Sequence, residues 1–278
     1  MLTLSPARQM FWQIAQIPDP DLNITHLLDG ALAIAWEAEP TIDITAYRQK
    51  IIALADTVAP RLAAVPYPLK KIQLLNQFVF TECGFRGNEA DYYNPANSFL
   101  TYVLDQRLGI PITLSVLYMI IADRLDLVME GVSFPGHFLV RPHDQNLEFF
   151  IDAYHGEIIF VEDCSARLRQ LYGGQVPFDP SYLAVVGVRR ILERMLTNLK
   201  LIYLRNAQFE LALAVVERLL MLDPTLALQR RDHGLLCYQL ERYSEARIDL
   251  ENYLELMPEA SDSPIISQLL TEISRRRF

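Results

Sequence analysis

Over positions 1 to about 80, apolar residues recur at intervals of three and four. Phe11, Ile14 and Ala15 open the pattern; Leu27, Leu28, Ala31, Leu32, Ile34 and Ala35 continue it, with Pro18, Pro20 and Pro40 interrupting. That spacing lines one face of a helix, and the prolines break the run. A further helix is expected from near Thr45, after Ile44, carrying Tyr47, Ile51, Ile52 and Leu54. Another should follow Pro66 and Pro68, with Ile72, Leu75, Phe78, Val79 and Phe80 on its apolar face. The segment 84–98, GFRGNEADYYNPANS, reads as a loop from its Gly, Asn and Pro, although it is unusually aromatic. Helical spacing resumes at Leu100, Val103 and Leu104, and Gly109 is expected to cap that helix. Pro111 suits the first turn of the next, where a missing N–H costs little, and Leu114, Leu117, Ile120 and Ile121 carry it to about Arg124.

Beyond Arg124 the period changes to two. Met129 to Phe134, His137 to Arg141, Leu147 to Asp152 and Glu157 to Val161 are predicted strands, separated by turn-forming Pro-Gly, Pro-His-Asp-Gln-Asn and His-Gly stretches. A small antiparallel sheet packed against helices follows, an α+β domain. The break at Tyr172, Gly173 and Gly174, with Pro177 and Pro180 after it, divides this part from an all-helical tail. The expected domains are 1–175 and 181–278.

The tail repeats itself. Phe209 recurs as Tyr243, Ala212 as Ala246, Leu220 as Leu254, Leu222 as Leu256 and Pro224 as Pro258. The interval is the roughly 34-residue period of the tetratricopeptide repeat, whose signature this tail resembles. Gly234, Ala246 and Pro258 stand at its two small positions and its closing proline: small residues let helices approach, and proline ends the second helix. Units 193–224 and 227–258 are clear, and helices around Val185 to Leu196 and Ile265 to Ile273 are expected to complete the stack. Either a peptide-binding groove or a structural, dimerising appendage fits such a region.

Composition adds exclusions. The formal net charge of −9 argues against a broad basic face for nucleic acid or anionic lipid. The run Arg275, Arg276, Arg277 reads as a helix end, where positive charge suits the dipole. Cys83, Cys164 and Cys237 are odd in number and form no CxxC, which speaks against a disulfide framework or thiolate zinc site. No signal-like N-terminus and no stretch of about 18 apolar residues occurs, so a cytoplasmic protein without a membrane span is expected.

Candidate chemistry gathers in the predicted sheet. A turn centred on Asp144 and Gln145 would set Arg141 opposite Glu148 and His137 opposite Asp152, within reach of a His–carboxylate hydrogen bond. Such a carboxylate fixes the imidazole's tautomer, as in nucleophilic triads, but a lone His–Asp pair is more often structural than catalytic. His143 and His155 lie close in sequence, yet no spacing among His137, His143, Asp152 and His155 matches a familiar zinc pattern, so neither metal nor cofactor is expected.

The run YYNPANSFLTYVLDQRLGIPITLSVLYMIIADRL, then GVSFPGHFLVR and FIDAYHG, resembles the SirB-type transglutaminase-like family, in which such a domain precedes tetratricopeptide repeats. The similarity spans roughly residues 25 to 260. It implies a papain-like core in which Cys, His and Asp act in that chain order, the Cys opening a helix where the dipole favours thiolate. His137 and Asp152 match the second and third members. The first member's place, the window Pro111 to Ser115, holds no cysteine, with Ile112 or Thr113 about where one should stand. Thr113 and Ser115 keep hydroxyls, which are far less acidic than a thiol and would need strong activation. Cys83 and Cys164 could approach in space, although buried inert thiols are the plainer reading, and Cys237 belongs to the packed repeat. Tyr92, Tyr93, Asn94, Asn97 and Ser98 match a block of the family and are candidates for lining the cleft, or for tying down the loop. The resulting expectation is a non-catalytic or weakly catalytic domain that binds a peptide or protein. The alternative is an amide-bond hydrolase or acyl transferase with an unusual nucleophile.

Overall fold

A computed structural model of the chain describes residues 4–144 and 146–275. Gln145, at the expected hairpin turn, and Arg276 and Arg277, of the arginine run, lie outside the described residues. Two compact units divide between Met195 and Leu196.

The first unit opens with helices α1 (Pro6–Ala15), α2 (Ile24–Ala38), α3 (Ile44–Ala63) and α4 (Pro68–Asn76). Their starts follow sequence chemistry. Ser5, Asn23 and Asp43 each accept backbone N–H bonds at a helix N-terminus, and Pro6 and Pro68 occupy first turns. A π-helical turn, Gln77–Glu82, prolongs α4 and keeps Phe78 and Val79 buried. Two-residue strands β1 (Arg86–Gly87) and β2 (Leu108–Gly109) then pair in parallel around α5 (Leu100–Gln106). Gly109 does not cap α5. Arg107 does, in the left-handed conformation at φ 63°, and the chain enters β2 directly. Gly109 is small for another reason: a Cβ there would stand 3.0 Å from Val103 and Leu114 side chains.

At the centre runs α6 (Pro111–Asp123), buried from Pro111 through Ala122. Its sequence is apolar all round because other elements cover every face. Each fully buried Ile or Leu stabilises the fold by roughly 1.5–3 kcal/mol relative to exposure. Strands β3 (Met129–Val132), β4 (Leu139–Pro142), β5 (Phe150–Asp152) and β6 (Glu157–Ile159) form an antiparallel sheet in the order β6-β5-β4-β3-β7, with β7 being Val185–Val186.

Three local expectations need correction. Val140 lies opposite Ile151, so the β4–β5 register is displaced by two residues from the one expected. Arg141 instead pairs with Glu130 on β3, its Nε 2.9 Å from Oε2. A shift of two preserves which face each side chain takes. Second, α7 (Val161–Leu171) follows β6 without having been anticipated, its Cys164 and Leu168 joining Val132, Phe134, Leu139, Phe150 and Ile159 in a core cluster. Third, Val185 and Val186 extend the sheet edge, and the helix there, α8 (Val188–Arg205), starts only after Gly187. The early part of α8 packs within the first unit: a Cβ on Gly30 would meet Leu192 at 2.7 Å, and Arg189 donates to the Ala15 and Ile17 carbonyls. That packing places the division of the units later than the Tyr172–Gly174 break.

The second unit is all helical, comprising the end of α8, α9 (Phe209–Leu222), α10 (Ala227–Gln239), α11 (Tyr243–Leu256) and α12 (Ser263–Arg275). Gly234 is required by close approach, because a Cβ would stand 2.8 Å from Leu250 and 3.2 Å from the Ala246 carbonyl. Among the described residues, no helix is long and apolar enough to cross a membrane.

Candidate functional site

The Phe134-Pro-Gly-His turn leads into β4. His137 donates its backbone N–H to the Phe134 carbonyl, and Gly136 supplies φ 70°. The imidazole that results is nearly enclosed, and its Nε2 lies 2.9 Å from Asp152 Oδ1 at the end of β5. The approach is close but not aligned, since Nε2 is buried and makes no hydrogen bond among the described residues.

Asp152 is fully buried and heavily committed. Its Oδ1 accepts the N–H groups of Tyr154 (3.0 Å) and His155 (3.2 Å), an Asx turn that folds the β5–β6 connection back on itself. Its Oδ2 stands 2.8 Å from His155 Nδ1 and is ion-paired with Arg167 of α7, whose other terminal nitrogen reaches Glu157 at 3.1 Å. Burial first, and then the nearby Arg167, His155 and Arg194 side chains, pull the His137 pKa down to about 3. The imidazole is therefore neutral at physiological pH. Beside it opens a cleft of about 670 Å³ lined by Phe134, Gly136, His137, His155, Arg167 and Leu171, among others.

Thr113 and Ser115 are both fully buried on α6. Thr113 closes the helix start: its Oγ1 accepts the Ile110 N–H at 3.2 Å and lies 2.7 Å from the Asn97 carbonyl, to which it donates. Ser115 Oγ faces the Phe138 carbonyl at 3.5 Å. Among the described residues neither hydroxyl hydrogen-bonds His137. Cys164 sits in the core cluster, where burial and then Asp163 push its thiol up to about 11. Burial also raises Cys83. A high pKa leaves little thiolate at neutral pH.

The aromatic loop reaches the same region. Tyr92 makes edge contacts with Tyr93 and Tyr154, and Tyr154 in turn with His137, at centroid separations of 5.2, 6.1 and 6.1 Å. Asn94 caps the short 3-10 turn that follows it, accepting from Ala96 N–H. Asn97 is buried in scaffolding, donating to the Asp91 carbonyl at 2.7 Å and accepting from Asn88 Nδ2 at 3.0 Å. Ser98 Oγ is buried without a hydrogen-bond partner among the described residues. Gly87 lets the loop lie against Tyr154, whose ring would be 2.4 Å from a Cβ there. Of the five loop candidates, the structure brings Tyr92 and Tyr93 into the aromatic cluster and uses Asn94 and Asn97 to hold the loop.

Sequence reasoning did not single out Tyr154, Glu157 or Arg167. A signal existed for Arg167: Val161, Cys164, Leu168 and Leu171 recur at helical spacing, with acidic Glu162 and Asp163 in the first turn, which marks a helix with Arg167 on the flank of its apolar face.

A helix opening at Pro111 and packed on an antiparallel sheet, with His137 in the turn entering β4 and Asp152 at the end of β5, defines the class as a transglutaminase-like core, followed by a tetratricopeptide-type helical region. Family comparison agrees: residues 45–197 match the transglutaminase-like superfamily and residues 199–271 the tetratricopeptide repeat. The chain belongs to the SirB-type branch of the transglutaminase-like superfamily. It is 33% identical over 256 residues to a UPF0162 protein of Xylella fastidiosa (strain 9a5c), covering 91% of each chain. A UPF0162 protein of Vibrio cholerae serotype O1 is 25% identical over 257 residues, 92% of this chain and 94% of the relative. Human F-box only protein 21 is 35% identical over 142 residues, 46% of this chain and 21% of that protein. No solved structure matches the chain.

Proposed function

We propose that the chain is a non-catalytic or weakly catalytic member of its superfamily, which binds a peptide or protein segment in the cleft beside His137 and engages a protein partner through its repeats. The observation that carries this reading is the state of the helix start facing the sheet. Ile112 stands buried there, and the Thr113 hydroxyl is consumed by the Ile110 and Asn97 backbone. Acyl transfer needs a nucleophile within hydrogen-bond reach of its base, and even loose apo geometry should leave that group free to turn. Thr113 Oγ1 has neither freedom nor exposure. His137 and Asp152 then serve as walls and anchors of a cleft, next to the aromatic side chains of Tyr92, Tyr93 and Tyr154 that suit contact with an extended segment.

The test is turnover. Full-length protein given glutamine peptides with a primary amine acceptor, or peptide substrates alone, is expected to show no more product than its His137→Ala variant. Robust turnover that vanishes in His137→Ala would overturn the reading. Binding is checked separately by a photo-crosslinking amino acid at Gln170, on the cleft wall, expected to trap a partner that the same group at exposed Trp12 does not.

A further inference from the structure

We propose that His137, Asp152 and His155 form a site for a divalent transition-metal ion, with Arg167 as the internal cation that such an ion displaces. The three residues offer two imidazole nitrogens and a carboxylate oxygen, all within 4.8 Å of one another. His137 Nε2 lies 2.9 Å from Asp152 Oδ1, and His155 Nδ1 lies 2.8 Å from the same carboxylate's Oδ2. Metal–ligand bonds of about 2.0–2.2 Å in tetrahedral geometry require ligand atoms about 3.3–3.5 Å apart, so side-chain adjustments of about an ångström would bring this cluster to that spacing.

The present hydrogen bonding is poor in ways that an ion would repair. His137 Nε2 is buried with no hydrogen-bond partner among the described residues. His155 Nδ1 faces an acceptor, Asp152 Oδ2, at 2.8 Å and a donor, Arg167, at 3.4 Å; one tautomer cannot serve both. An ion would take the lone pair of each imidazole and one oxygen of Asp152. The other oxygen would stay oriented by the Tyr154 and His155 N–H groups, the supporting bonds that metal-ligating carboxylates usually have.

Arg167 is the obstacle and also the clue. Its guanidinium already places a positive charge against Asp152, and its second terminal nitrogen is held by the exposed Glu157. Exchange of guanidinium for a metal ion would keep a cation on Asp152 while Arg167 retains Glu157. The half-exposed His155 gives the ion a route from solvent, and the cleft leaves room for a water or a ligand side chain at an open position. Two imidazoles with one carboxylate favour Zn²⁺, Co²⁺ or Fe²⁺ over Mg²⁺ or Ca²⁺. His143 takes no part, since its Nδ1 is 3.0 Å from Glu130. The site shares the cleft of the proposed function but does not depend on any peptide binding there.

Chelator-stripped full-length protein titrated with Co²⁺, read by visible absorption, tests this without a partner or substrate. One equivalent should bind with a spectrum typical of nitrogen–oxygen ligation. His155→Ala should weaken binding by about a hundredfold. Arg167→Gln should tighten it by at least about tenfold, because a competing charge is gone, an effect opposite to that of general structural damage. No binding to the native chain would overturn the proposal, as would binding indifferent to His155→Ala, binding weakened by Arg167→Gln, or binding confined to Arg167→Gln. If His155→Ala folds poorly, the native titration and the Arg167→Gln arm decide between these outcomes.

Discussion

Each unit sets a partly buried histidine close beside an aspartate, His137 by Asp152 and His233 by Asp249, and the two histidines behave in opposite ways. In the first unit His137 lies 2.9 Å from Asp152 yet its pKa falls to about 3. In the second, His233 Nδ1 lies 2.7 Å from Asp249 Oδ2, and its pKa rises to about 10; burial lowers it, but the bond to Asp249 and the nearby Cys237 more than reverse that. Distance does not separate them. What differs is the carboxylate's other obligations. Asp152 already answers to Arg167, His155 and two backbone N–H groups, whereas Asp249 has beyond His233 a looser Arg230 at 3.7 Å. A carboxylate supports an imidazolium only with charge that it has not given elsewhere.

The largest effect expected from breaking this contrast is Asp152→Asn. It leaves the partly buried Arg167 without its main counter-charge and removes an anchor of the β5–β6 turn, so a loss of roughly 3–5 kcal/mol is expected. Urea unfolding near neutral pH measures it. Asp249→Asn should cost less, about 1.5–3 kcal/mol, the range for a hydrogen bond to a charged group. The two pairs also predict opposite pH dependences. His137 is neutral when folded and takes a proton when unfolded below about pH 6.5, so its contribution to stability is complete above that value and declines as pH falls toward 3. His233 is protonated when folded, so its contribution is complete below about pH 6.5 and is lost as pH rises through 10. Unfolding midpoints for His137→Gln and His233→Gln, compared with the native chain, should flatten the acid limb and the alkaline limb respectively. If each histidine altered the other limb, the assignment of the two environments would be wrong.

Arg167→Gln sharpens the same point from the other side. Freed of its guanidinium, Asp152 can turn its charge toward His137, whose pKa should climb by about one unit or more, although burial continues to hold it down. Histidine ring proton shifts followed through an NMR pH titration of metal-free protein measure this. An unmoved His137 would mean that burial alone sets its state.

How far these contrasts could be read in the sequence depends on the range of the interactions. Pro111 as a helix start, the period-two strands and the 34-residue repeat are local or periodic signals, and the helices and strands form where those signals lie. His137 and Asp152 could be placed on one face of a sheet even with the register displaced by two, because faces alternate with period two. Arg167 could not be placed so. It stands on a helix whose neighbours are fixed only by packing of Cys164 and Leu168 into the core, and its effect on Asp152 is a matter of tertiary position. Thr113 tells the same lesson: as a residue type it is a candidate nucleophile, and only the folded Asn97 carbonyl beside it shows where its hydrogen is spent.

The smallest effect expected concerns Cys237. Together with His233 and Asp249 it supplies the three residue types missing as a set from the cleft, and its Sγ is 3.6 Å from His233 Nδ1. That same nitrogen is 2.7 Å from Asp249. In a nucleophilic triad the imidazole uses one nitrogen for its carboxylate and the other for its nucleophile, so that a proton can pass between them. Here both neighbours converge on Nδ1, whose hydrogen belongs to Asp249, and Cys237 is fully buried. The sulfur is a packing group. Cys237→Ala should therefore cost only about 0.5–1.5 kcal/mol, comparable with the loss of a small buried group. The His233 titration should stay well above the ordinary histidine range, because the bond to Asp249 survives. Native protein should also react with an alkylating reagent at Cys237 no faster than unfolding exposes it. Rapid alkylation that slowed in His233→Gln would show the reverse, an activated thiol in the repeats, and would move the search for chemistry in this chain from its first unit to its second.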